Sequence, residues 1–317
     1  MSGDAGGRLK YLDVAKGIGI LLVIIGHCIP DASTPSGISE PIFAAMFKVI
    51  YSFHMPLFFF ISGFLTRPMN NRRELLKKRA QRLLVPYFFV GLTYLPFKML
   101  LSNFANAPYD LGNLWKIFFG VNPDGELWFL YAMFLAAAVM IFFGNRVNFL
   151  GLSVAAFLAV IDLQTNLFPV TFFRFGFFFV LGIYMRSEFP AFMEKISVTS
   201  IIIAAVIFAA GNFYLNLFTN FLTALMGILI VLWVSQKLSE GNFLGEKLAL
   251  LGIFSMDLYI LSDVVKIPFR IIFWNYLGMY TAAFIICVVC AVGISFLLSK
   301  YFIRRNEILR TLVLGLK

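Results

Sequence analysis

KYLDVAKGIGILLVIIGHCIP, residues 10–30, is the stretch on which the fold turns. Past Lys16 the run is apolar up to Pro30, broken by one ionisable side chain, His27. Together with Leu12 to Ala15 it reaches the roughly 20 residues that a helix needs to cross a bilayer. Asp13 and Lys16 are three apart, close enough to pair on one face. Gly26 leaves room beside the histidine. Directly before Cys28 stands His27, where a lipoprotein signal requires a small residue, and no clean cleavage site follows, so this first span is read as retained.

The rest of the chain has the same character. Of 317 residues, 61% are hydrophobic and 13% charged, against about 25% charged in soluble domains. Mean hydropathy is +0.88. Long apolar runs without strict alternation exclude a β-barrel. Spans near 12–30, 50–66, 83–103, 127–143, 149–163, 170–186, 198–212, 221–237, 248–265 and 277–299 predict an all-α, polytopic membrane protein of about ten helices. No repeat or linker divides it, so residues 1–317 read as a single membrane domain. The segment 38–49 carries Glu40 and Lys48 and is expected to lie along the outer interface.

The net charge of +10 is explained by where the cations fall. Arg8, Lys10, Lys16, the cations from Arg67 to Arg82, Arg146, Arg186, Lys195, Lys237, Lys247, Lys300, Arg304, Arg305, Arg310 and Lys317 all lie on one side of that topology. They are twenty of the 26 basic residues. By the positive-inside rule that side, with both termini, is cytoplasmic. The opposite loops hold Lys98, Lys116, Lys266 and Arg270. The charge therefore reports topology, and no nucleic-acid surface is implied. Trp115, Trp128 and Trp274 fit an outer aromatic belt. Arg174 near an outer end is expected to snorkel to the interface. Cys28, Cys287 and Cys290 sit in apolar sequence and form no disulfide framework.

Chemistry must then lie among the spans. The two histidines, His27 and His54, are both in apolar sequence, where an ionisable group is costly and by default functional. Counted from Lys16 and from Arg67 they lie about 16 and about 20 Å deep, level within one turn. Pro56 breaks the helix beside His54 and frees the Ser52 carbonyl. Arg79 and Arg82, three apart beside Lys78, form a cationic face suited to phosphate. Glu126, just ahead of Trp128 at an outer mouth, is placed to orient a histidine or meet an acceptor. A cationic mouth with a general base about 16–20 Å deeper suits a coenzyme A thioester, with its head on the arginines and its arm reaching the histidines. No metal site is indicated. The competing class is a proton-coupled transporter or flippase for an envelope sugar precursor, which ten spans and buried titratable groups also fit.

At these residues the sequence resembles the acyltransferase-3 family of bacterial membrane O-acyltransferases, especially its fucose acetylase-like branch. The likeness runs through KYLDVAKGIGILLVIIGH, SFHMPLFFFISGFL, Arg79-Ala80-Gln81-Arg82 leading into LLVPYFF, ELWFLYAMF and GIFSMDLYILSD. It implies about ten helices in a bacterial inner membrane and acetyl transfer from cytoplasmic acetyl-CoA. The acceptor it implies is a surface polysaccharide or lipid-linked glycan. It also implies that His27 is catalytic and that Arg79 and Arg82 bind the donor. Many members carry arginine where Lys16 stands, and often histidine where Ser262 stands, ahead of Asp263. The resulting expectation is His27 as base, His54 as partner, Glu126 in support, and Lys16, Arg79 and Arg82 near the donor phosphates.

Overall fold

A computed structural model describes residues 9–30, 41–66, 71–100, 111–142, 147–165, 172–214 and 217–317. Arg8, Glu40, Arg67 and Arg146, named above, lie outside these, as does the stretch 101–110. All regular structure among the described residues is helical. In chain order the α-helices are α1 (Lys10–Cys28), α2 (Pro41–Tyr51), α3 (His54–Leu65), α4 (Arg72–Leu100), α5 (Trp128–Phe142), α6 (Phe149–Thr165) and α7 (Phe172–Tyr184). They continue as α8 (Phe189–Glu194), α9 (Val198–Phe213), α10 (Leu217–Leu238), α11 (Phe243–Ile253), α12 (Ser255–Arg270), α13 (Tyr280–Tyr301) and α14 (Glu307–Leu314).

Among the described residues, five helices are long and apolar enough to cross a membrane, and six if the bent pair α11–α12 counts as one span. Four more apolar helices, over Gly125–Ile141, Phe149–Ile161, Phe173–Tyr184 and Val198–Phe213, are shorter. Helix α1 is the hub, in contact with α2, α3 and α10 to α13. It approaches α11 backbone to backbone. A Cβ on Gly17 would stand 1.9 Å from the Leu248 carbonyl oxygen, and one on Gly252 1.8 Å from that of Asp13. Small residues at such crossings supply the packing that apolar side chains cannot supply within lipid.

Four details differ from the expectation. The segment assigned to the interface is helix α2, which joins α3 in one 25-residue apolar stretch from Pro41 to Leu65. The basic run and the third span are one 29-residue helix, α4, that continues through Pro86 and Pro96. Each proline removes one hydrogen bond, a local loss that neighbouring helices offset inside a membrane protein. The ninth span is broken at Phe254 and bends by 75°. Trp274, assigned to the aromatic belt, is buried beneath the Arg270 guanidinium, 4.3 Å from its ring centre.

Candidate active site

On α1, Lys16, Ile20, Val23 and His27 recur at intervals of four, three and four residues, so they form one stripe. The first three line a cavity of about 360 Å³ between α1, α3, α4, α5 and α12. Arg79 and Arg82 line it from α4, and Ser255, Met256 and Tyr259 line it from beyond the break at Phe254. The three residues expected to hold a donor therefore share one cavity. It runs along the stripe to Val23, one turn short of His27.

The cations at this mouth are held in different ways. Lys16 pairs with Asp13 at 2.7 Å. Arg79 donates to the Thr66 hydroxyl at 3.0 Å, and Arg82 donates to the Leu314 carbonyl. Neither arginine gives up its charge to a carboxylate in these contacts.

At the inner end, His27 Nδ1 lies 3.1 Å from Glu126 Oε1 and 3.4 Å from the Tyr51 hydroxyl. When Glu126 is ionised it can only accept, so the contact then sets the proton on Nδ1 and leaves a lone pair on Nε2. Glu126 is fixed from several sides. Its N–H donates to Asp124 Oδ1 at 3.0 Å, and the Asp124 N–H donates to Asn122 Oδ1 at 3.0 Å. Asn122 in turn donates to the Tyr87 carbonyl of α4 at 2.9 Å, while the Tyr259 hydroxyl donates to the Glu126 carbonyl. Burial, and next the charge of Asp263, push the Asp124 carboxyl up to about 7.

Lys266 was assigned to an outer loop and is instead 1% exposed within α12. It pairs with Glu126 and, at 2.8 Å, with Asp263 one turn away. Asp263 also accepts from Tyr94. A buried cation can be kept only with such partners. Asp263 thus belongs to the charge cluster behind His27. The neighbouring Ser262 is buried and donates to the Tyr259 carbonyl at 3.4 Å.

His54 is held differently. The helix breaks at Ser52 and Phe53, and the ring Nδ1 donates to the Ile50 carbonyl at 2.7 Å. Tyr51 stands between the histidines, its ring centre 5.9 Å from that of His27 and 4.7 Å from that of His54. Tyr51, Tyr259 and Lys266 are the residues that sequence reasoning missed. Asp263 and Lys266, three apart in an apolar helix, carried a readable signal. The tyrosines carried none. Among the described residues, no group of three or more His, Cys, Asp or Glu side chains could hold a metal ion.

Comparison with known proteins bears on this arrangement. Residues 9–300 match the acyltransferase domain of the acyltransferase-3 family. A nodulation protein, NolL, of Mesorhizobium japonicum is 31% identical over 135 residues, covering 39% of this chain and 33% of that protein. NolL of Sinorhizobium fredii is 28% identical over 186 residues, covering 56% of this chain and 49% of that protein. The chain thus spans half or less of the length of these relatives. No solved structure matches. Since nearly the whole chain matches the family, the protein belongs to the acyltransferase-3 family.

Proposed function

We propose that this protein is a multi-pass O-acetyltransferase of the bacterial inner membrane. It moves an acetyl group from cytoplasmic acetyl-CoA to a hydroxyl of a cell-surface polysaccharide or glycolipid sugar. In this reading the six long and four shorter apolar segments all cross, and both termini are cytoplasmic. The excess of basic residues on that side supports the orientation.

The observation that carries the proposal is the shared cavity. Lys16, Arg79 and Arg82 line it, Val23 brings it to within one turn of His27, and the lining Tyr259 donates to the Glu126 carbonyl. Eleven residues of helix separate Lys16 from His27, about 16 Å. A thin arm with an anionic head fits that geometry: guanidinium forks hold the phosphates, and the apolar walls admit the pantetheine chain. His27 Nε2 removes the acceptor proton as the hydroxyl oxygen attacks the thioester carbonyl. The carbon–sulfur bond then breaks, and the thiolate leaves with the proton from His27. Glu126 holds the imidazole in the required tautomer and stabilises the imidazolium. His54, fixed against Ile50, buttresses Tyr51 from its far side.

The test is to incubate purified protein with labelled acetyl-CoA and cell-envelope glycans. Label in the glycan, dependent on His27, is the expected result. No labelling and no acetyl-CoA binding, with solute flux lost in His27→Ala, would replace the enzyme by a transporter.

A further inference from the structure

The family match ends at residue 300, yet the chain continues into a short turn, Ile303–Arg305, and helix α14. This segment is anchored. Arg304 Nε bonds the fully buried Asp257 at 2.7 Å, and its guanidinium lies 3.9 Å from the Phe254 ring centre, at the break that shapes the cavity wall. Asn306 caps the start of α14 by accepting from the Leu309 N–H at 3.0 Å.

The far end of α14 meets the donor side of the cavity. Gly315 takes a left-handed conformation, φ +62°, and its N–H closes the helix on the Thr311 carbonyl at 3.0 Å. A Cβ there would stand 2.3 Å from the Gln81 carbonyl oxygen and 2.7 Å from Arg82 Cα, so only glycine permits the approach. The carbonyls of a helix's last turn lack partners within it, and that end of the helix carries partial negative charge. Leu314 presents such a carbonyl, and the Arg82 guanidinium donates to it. The remaining N–H groups of the fork are left for another ligand. α14 does not line the cavity. It stands behind the arginine.

We propose that the C-terminal segment Ile303–Gly315 is part of the donor site: its helix C-terminus positions the Arg82 guanidinium toward the acetyl-CoA phosphates. This rests on the donor reading above. Two variants test it, a chain ending at Arg305 and Gly315→Val, each made in wild type and in Arg82→Ala, with kcat and both KM values measured. One lost charged hydrogen bond should raise the KM for acetyl-CoA about tenfold, leaving kcat and the acceptor KM near wild type. In the Arg82→Ala background the same changes should add little, because the segment acts through that side chain. An unchanged donor KM in both variants, or effects that multiply with Arg82→Ala, would overturn the proposal while leaving the donor reading intact. Failure of the unmodified protein to bind acetyl-CoA would instead overturn both.

Discussion

The arginine end and the histidine end of the cavity are both charged, but they are built on opposite rules. Arg79 and Arg82 are fixed by a hydroxyl and a carbonyl, contacts that orient a guanidinium without neutralising it. Around His27 the charges are paired, with Lys266 held between the carboxyl groups of Glu126 and Asp263. Uncompensated charge suits a site that waits for an anion. A compensated cluster suits one whose task is to hold a ring in a single orientation. Lys16, paired with Asp13 yet on the cavity wall, belongs structurally to the first end and electrostatically to the second.

Substitutions separate the two ends. His27→Ala should cost the most, about a thousandfold in kcat, the scale of a lost general base, with acetyl-CoA binding kept. Glu126→Gln should lower kcat about a hundredfold at unchanged donor KM, since the amide has no charge to stabilise the imidazolium and can turn its NH2 to Nδ1, fixing the wrong tautomer. Equal losses in kcat and donor affinity would merge the two ends into one. Lys266→Met leaves two carboxylates facing each other, and should destabilise the fold by about 3 kcal/mol or more, read as a lower melting temperature in detergent. At the other end, Arg79→Ala should raise the donor KM about tenfold with kcat retained, and more steeply at low salt.

The smallest effect is a pH dependence. Asp124 titrates near 3.8 when unfolded and is pushed up to about 7 in the folded protein by burial and then by Asp263. Between those values the folded state holds a proton that the unfolded chain has released. Stability from this group is complete below about pH 4 and declines as pH rises toward about 7. Asp124→Asn, which keeps an oxygen for the Glu126 N–H, should flatten that decline in a series of melting curves. Parallel curves for the two proteins would assign the slope to other groups.

Most of the arginine end was legible in the sequence. Lys16 and His27 share a helical stripe by spacing alone, and Arg79 and Arg82 announce themselves as forks one turn apart. The histidine end was legible only in part. His27 and Glu126 stand out because ionisable groups in apolar sequence are costly. That they touch depends on the loop that Asn122 and Asp124 clamp to α4, a contact between distant segments that no local pattern encodes. Lys266 was misplaced because a cation near a span end ordinarily marks a loop. Its three-residue spacing from Asp263 was the contrary signal. Continuous helix through Pro86 and the break at Phe254 went unread for one reason: tertiary packing decided both against local propensity.

The most direct measurement is a structure of the full chain with acetyl-CoA bound. The phosphates should lie against Arg79 and Arg82, the pantetheine arm should fill the cavity past Ile20 and Val23, and the thioester carbon should come within reach of His27 Nε2. A donor bound elsewhere, or a thioester remote from His27 with its phosphates away from both arginines, would contradict the link between the two ends.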